Sequence, residues 1–575
     1  MREHLPSRLA IAAVLAVLLL GLPGTAGAAP NGIVCTNGPS FDLVAKPGSI
    51  ETPDGNSVYM WGFANQATGG AFQMSGPNLC VTQGATVTVH LHNALTGPGA
   101  EPVSIVFPGQ EAVTASGGGA GLFTREAAPG GSDVTYTFVA SQPGTYLYES
   151  GTDPQKQVEM GLYGALIVRP AGCTATACTA YGPPATQFDP RREYLLVLNE
   201  IDPDLHSAVE NGTTYDRGAL HNRYFTVNGR SFPDTIQANN ASYLPAQPYG
   251  ALVRLQPFDP TANPQPSLIR LINAGLLNHP FHPHGNHLRM IAQDGRRFLT
   301  PSGGDASTEH FAETIASGAT EDFLLSWRPN AGDPSSPTGN SFPLPVPNYR
   351  NLLFKDGNTW YSGSPYLGYK GTLPSGTTSQ NVCGEYYFPW HSHALNEFTN
   401  YDAGFGGMAT LMRVDPLNGC TAVPTSVKLQ AGTARAGGFA QLGADDDAYY
   451  ETNATTVAPV RTDWYGAFTG LPAGATNLTV TYRGKNTPST PATTVGQTLF
   501  IWNWTTSAWV SLGPAQAVGT GEVTVTATAP GSPASYIGKG ASAGQLRVQV
   551  VSQRTGGTGT FFTSGDLLKV TYDAP

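Results

Sequence analysis

Charge is scarce in this chain: only 12% of its residues are Asp, Glu, Lys or Arg, and no Lys/Arg cluster longer than a pair occurs. The balance is acidic, with 30 basic against 40 acidic residues and a formal net charge of −10. That leaves no basic surface for binding nucleic acid or an anionic membrane by counterion release. Long apolar runs are missing too, apart from Leu9 to Leu20, which is short for a ~20-residue membrane span. Signatures of hydrolase nucleophiles, phosphate loops and dinucleotide turns are absent. Cysteine is limited to six residues, Cys35, Cys80, Cys173, Cys178, Cys383 and Cys420.

The apolar run has a different use. Arg2 and Arg8 precede it and Ala26-Gly27-Ala28 follows, which reads as a signal peptide over residues 1–28 and predicts a secreted, extracellular protein with no membrane span. In an oxidising compartment six cysteines most simply form three disulfides. Of fifteen pairings, Cys35–Cys80, Cys173–Cys178 and Cys383–Cys420 are expected, leaving no spare thiolate for a metal.

What is abundant is turn chemistry, with 69 Gly and 47 Pro among 575 residues, interleaved with short runs of Val, Thr and Tyr. This pattern predicts an all-β protein, and the length implies three or four units at roughly 100–200 residues each. Alternating strands such as Thr86-Val87-Thr88-Val89-His90-Leu91-His92 place one β-sandwich over 33–170. A second, over 190–416, begins at Tyr194-Leu195-Leu196-Val197-Leu198 and carries a long insertion over 328–386. That insertion, with Trp360, Tyr361, Tyr366 and Tyr369, reads as a surface loop or as a cover for the neighbouring site. A third, accessory β-sandwich spans 425–575. Within it, Trp502 and Trp504 share one strand face and, with Trp509, read as core rather than as a sugar platform. Asp445-Asp446-Asp447 reads as a solvated turn, the alternative being a calcium contact.

Six of twelve histidines fall in two segments, His279-Pro280-Phe281-His282-Pro283-His284-Gly285-Asn286-His287 and Trp390-His391-Ser392-His393. On a strand, residues two apart share a face, so His282 with His284 and His391 with His393 each present parallel imidazoles. Two facing pairs make a four-nitrogen cage suited to copper or zinc. His279 and His287, in the same segment, are further candidates beside it. His90 and His92 read as ordinary strand positions.

Residues 40–415 resemble the multicopper oxidases. The resemblance rests on Gly161-Leu162-Tyr163-Gly164-Ala165-Leu166-Ile167-Val168, Phe225-Thr226-Val227-Asn228-Gly229-Arg230-Ser231-Phe232-Pro233-Asp234, the His-Pro-Phe-His-x-His-Gly segment, and the closing His-x-His with Gly406-Gly407-Met408. It implies two cupredoxin-like Greek-key sandwiches and copper as cofactor. In that family a blue copper passes electrons through a cysteine to a three-copper cluster that reduces oxygen. The resemblance would make His279 a blue-copper ligand, Met408 its axial neighbour, and His282, His284, His391 and His393 cluster ligands. The cysteine position holds Ser392 and the second blue-copper histidine falls on Glu397. In the first domain, Val106, Pro108, Glu149 and Gly151 stand at or beside the places of the remaining cluster histidines, and Glu149, so placed, is a further candidate that would complete a His-plus-carboxylate site. Two-domain relatives form trimers with the cluster between subunits, but a homo-oligomer here could not restore ligands that every copy lacks.

The expected function is therefore a secreted multicopper-oxidase-like protein that binds copper through the two His-x-His pairs, to sequester it or run a simpler redox reaction, and is not a competent four-copper oxidase. The alternatives are a structural or adhesive extracellular protein without metal, its third domain binding a surface or glycan, and a copper-dependent oxidoreductase of the family.

Overall fold

In the computed structural model, the described residues are 32–573 apart from 262, 328–350, 353–377, 380–385, 401–405 and 416–418. The expected leader over 1–28 and the aromatic residues of the insertion lie outside them.

Three β-sandwiches follow one another along the chain. In the first, a five-stranded sheet (Ser57–Asn65, Ser40–Glu51, Thr86–Asn93, Val134–Val139, Thr114–Gly117) covers a four-stranded one (Thr36–Asn37, Leu79–Thr82, Tyr163–Arg169, Gly144–Glu149). The period-2 pattern is kept on Thr86–Asn93, where Val87, Val89 and Leu91 are buried. His90 and His92 face away and bond across the sheet, to Thr135 at 2.9 Å and Asp133 at 2.8 Å.

The second sandwich packs a seven-stranded sheet containing Glu193–Ile201 and Ser267–Asn273 on a five-stranded one ordered Val253–Leu255, Ala409–Val414, Tyr386–Ser392, His279–Pro283, Glu313–Ile315. The Asn228-Gly229 pair turns Val227 back onto Arg230, both residues at positive φ of 56° and 74°. The motif around it is thus structural: Asn228 ties Leu195, Val197 and Gly250 together, and buried Arg230 donates to the Gln247 carbonyl.

The two sandwiches share an apolar seam in which Met60, Leu147, Tyr163 and Ile167 meet Leu195, Val197 and Ile272. A buried polar seam runs beside it. Arg270, fully buried, donates to Glu193 at 2.7 Å and to Thr145 at 2.8 Å, and Thr145 donates to Asp322 at 2.6 Å.

The third sandwich pairs two six-stranded sheets over a core that includes Trp464, Tyr482, Leu499, Ile501 and Val548. Here the structure corrects the reading of the tryptophans. On Thr494–Asn503 the buried positions are Val495, Gln497, Leu499 and Ile501, so Trp502 lies on the opposite face. Trp502 sits across from Trp509 with ring centroids 5.2 Å apart, Trp504 is 6.4 Å from Trp502, and all three are half-buried. Trp504 lies in the turn that follows this strand, not on its face. Which face looks inward is set by the register against Leu546–Gly556.

Disulfides Cys35–Cys80 and Cys173–Cys178 are present. The expected Cys383–Cys420 pair involves Cys383, outside the described residues; Cys420 is disulfide-bonded.

Candidate metal centre

The strand His279–Pro283 pairs antiparallel with Tyr386–Ser392 so that His282 lies opposite His391. Because side chains alternate, this pairing divides the candidates between two faces. One face turns inward, with Phe281 stacked on Trp390 at 5.3 Å and with His279 and Ser392 fully buried. The other turns outward and carries His282, His284, His391 and His393.

On the outward face the rings converge. Centroids lie 4.7 Å apart for His282 and His284, 5.7 Å for His282 and His391, 5.4 Å for His282 and His393, 5.1 Å for His284 and His391, and 6.0 Å for His391 and His393. The Nε2 atoms of His284 and His391 are 3.1 Å apart, joined without an ion by a hydrogen bond from His284 Nε2–H to His391 Nε2. Two nitrogens bound to one tetrahedral ion at 2.0–2.1 Å would stand roughly 3.3 Å apart. The other two rings are less closely gathered, since no three of the histidine nitrogens lie within 4.8 Å of one another. His393 is exposed and His282 half-buried, so both can turn.

Backbone carbonyls hold the tautomers. Nδ1–H of His282 donates to the Phe311 carbonyl at 2.7 Å, and Nδ1–H of His391 to the Ser392 carbonyl at 2.8 Å, leaving each Nε2 lone pair directed elsewhere. Phe398 packs on the His391 ring at 4.4 Å. Burial, reinforced by the neighbouring imidazoles, pulls His391 down to about 4, against the bond to Ser392; burial also lowers His284. Both are neutral near pH 7, the form that binds metal.

The inward face is built differently. Both ring nitrogens of His279 meet carboxylates, Nδ1 at 3.0 Å from Glu397 and Nε2 at 2.9 Å from Glu200. Glu397 also accepts the Ser392 hydroxyl. Met408 is buried alongside, its N–H bonded to the Glu397 carbonyl at 2.8 Å. Burial alone would lower His279, but the bonds to Glu200 and Glu397 hold it at about 9, so it is a charged imidazolium donating from both nitrogens. With no nitrogen lone pair to offer, His279 stands apart from the outward cage. A blue copper does not fit these residues: the site has no thiolate, and its one imidazole is consumed.

Glu200 was not singled out from the sequence. Its signal is a carboxylate inside the fully buried strand Glu193–Ile201, where a buried acid needs a partner. Gly275 makes room for it: a Cβ there would stand 1.8 Å from Glu200 Oε2.

Three of the first-domain positions lie close together. Val106 and Glu149 exchange backbone hydrogen bonds at 2.8 and 3.2 Å, a Cβ on Gly151 would lie 2.5 Å from the Val106 side chain, and Pro108 is exposed. Burial raises Glu149 to about 7. No hydrogen bond, ion pair or ring contact among the described residues joins Glu149 to the four histidines. His287 is exposed and touches Phe311, with ring centroids 6.0 Å apart, rather than the cage.

Residues 53–172 match the multicopper oxidase family model, so this part of the chain is similar to that family. No curated protein matches the sequence. Among solved structures, the chain is similar to a blue copper oxidase from Nitrosomonas europaea, at 19% identity over 65% of this chain and 85% of that one, with a TM-score of 0.41. A copper nitrite reductase from Nitrosomonas europaea is 17% identical over 66% and 93%, with a TM-score of 0.37. A multi-copper oxidase from Pseudomonas thermotolerans is 13% identical over 90% and 93%, also with a TM-score of 0.37.

Proposed function

We propose that this is an exported, multicopper-oxidase-like protein that holds one copper ion on the outward histidines His282, His284, His391 and His393 and does not act as a four-copper oxidase. The observation that carries the reading is the 3.1 Å approach of the His284 and His391 Nε2 atoms. Imidazole donors suit copper, and among divalent first-row ions copper binds such nitrogen sites most tightly, zinc being the nearest competitor. Ligation needs only rotation of His282 and His393 toward the His284–His391 pair. A copper ion there would supply a one-electron couple or simple sequestration.

The loss of oxidase competence rests on the inward face. Ser392 is a neutral, hard donor already bonded to Glu397, and His279 is held between two carboxylates. Among the described residues, no donor set remains there for the copper that would collect electrons. Export is supported by the charged, apolar and small-residue order of the first 28 residues and by the two disulfides.

The test is metal content after copper loading, with a visible spectrum of the same sample. About one copper per chain without an intense blue band is expected, and the double variant His391→Ala, His393→Ala should lose it while remaining folded. A strong blue band, or copper unchanged in that variant, would sink the reading.

A second role, attachment, is favoured by the third sandwich. Trp502 and Trp509 stand half-exposed on one sheet face with Tyr465, Trp504 follows in the turn, and Arg547 lies over Trp504 at 4.7 Å. Such flat rings suit stacking on sugar faces. Loss of retention on insoluble polysaccharide in Trp502→Ala, Trp509→Ala is the expected result.

A further inference from the structure

The third sandwich brings together carboxylates that the sequence scatters over 120 residues. Asp445, Asp446 and Asp447 follow the short helix Phe439–Leu442, Glu522 immediately precedes the strand Val523–Thr528, and Asp566 lies inside Phe561–Asp573. Asp566 is the extra residue of a β-bulge: Arg483 pairs with Leu567 while Gly484 pairs with Gly565, and Asp566 is passed over. A bulge re-aims the side chain it carries. Here one oxygen each of Asp447, Glu522 and Asp566 lie within 4.8 Å of one another.

A solvated turn does not account for Asp566. Its side chain is fully buried; Oδ1 accepts only the Asp446 N–H at 3.3 Å, and Oδ2 has no hydrogen-bond donor. The Tyr482 hydroxyl, also fully buried, is likewise without a partner. A buried carboxylate oxygen left unpaired is costly, so something is expected to satisfy it. The nearest cation, Arg483, stands 3.7 Å from Oδ2 and is committed to Glu522 at 2.7 Å and Asp445 at 2.9 Å. Lys485 lies 3.6 Å from Glu522 and bonds the Tyr449 hydroxyl at 2.8 Å. Asp445, Asp447, Glu522 and Asp566 thus crowd around the two cations Arg483 and Lys485, and burial together with the bond to Asp445 raises Asp566.

We propose that Asp447, Glu522 and Asp566 form a calcium site that ties the Asp445–Asp447 turn to two strands of the third sandwich. Calcium takes oxygen ligands at 2.3–2.6 Å, so ligands of one ion can stand up to about 5 Å apart, the spacing of this trio. Carboxylates drawn from three separate elements give an adaptable site, and exposed Asp447 leaves room for water to complete the shell. Magnesium demands a tighter octahedron and sheds its water reluctantly, which makes it the poorer occupant.

The experiment is calorimetric titration of EDTA-treated, full-length protein with calcium chloride, together with thermal unfolding in calcium and in EDTA. One calcium per chain and a calcium-dependent rise in Tm are expected. Asp447→Asn and Glu522→Gln should each weaken binding tenfold or more. Asp566→Asn should abolish binding and, by removing the buried charge, raise Tm in EDTA. The His391→Ala, His393→Ala variant should bind calcium unchanged, which separates this site from the histidine cage. No heat and no Tm shift at millimolar calcium, binding that survives both Asp447→Asn and Asp566→Asn, or equal stabilisation by magnesium would overturn the assignment.

Discussion

The Ser392 hydroxyl donates its hydrogen bond to the Glu397 carboxylate, so the residues standing where the resemblance puts a cysteine and a histidine bond to each other. The same carboxylate accepts from His279, whose other nitrogen reaches Glu200. A place that could serve a metal is filled by a buried, hydrogen-bonded network on the inward face, while the histidines that remain open share the outward face of the same two strands.

Ser392→Ala should therefore cost stability without changing metal content. Removing one donor to a buried carboxylate costs about 1–3 kcal/mol. Chemical denaturation should show a lower midpoint, and elemental analysis the same copper per chain as the parent. A parallel loss of copper would mean that the two faces are coupled.

His279→Gln should destabilise by about 3–5 kcal/mol, because it leaves two buried carboxylates without their cation. The pH dependence has a definite sign. A histidine held at about 9 contributes stability that is fully present below its unfolded value of 6.5 and is lost as pH rises through about 9. The parent should lose stability over that window, measured by denaturant midpoint, and the variant should lack this component.

Gly275→Ala should break the same network from outside it. The new methyl would overlap Glu200 Oε2, and relief requires moving the carboxylate away from His279. Overpacking of this kind costs about 1–3 kcal/mol. A Tm unchanged from the parent would contradict the close approach.

Glu149→Gln should stabilise the protein at neutral pH. The acid is raised from 4.5 to about 7 by burial, so folding disfavours its charged form and stability declines as pH rises through that interval. The amide removes the penalty, on the order of 2–3 kcal/mol above pH 7. The fall in denaturant midpoint from pH 5 to pH 8 should be smaller in the variant than in the parent, with copper content unchanged.

The strands and their inward faces were legible wherever alternation was strict, as on Thr86–Asn93. The pairing of His282 with His284 and of His391 with His393 was legible for the same reason, because a period of two is a local property of an extended backbone. The resemblance, not local spacing, marked Ser392 as standing where a thiolate would be. Three things required the tertiary structure. Glu200 lies 79 positions from His279 and reaches it only through the parallel register of Glu193–Ile201 with Ser267–Asn273 and the gap at Gly275. Trp502 shows its strand face in sequence, yet the packing of one sheet on the other decides that Leu499 and Ile501, not Trp502, fill the core. Asp566 is carried out of an ordinary strand position by a bulge that only strand pairing creates. The sequence by itself determined which side chains alternate and what chemistry they offer; register, bulges and sheet packing decided which of them meet, because those depend on contacts between segments far apart in the chain.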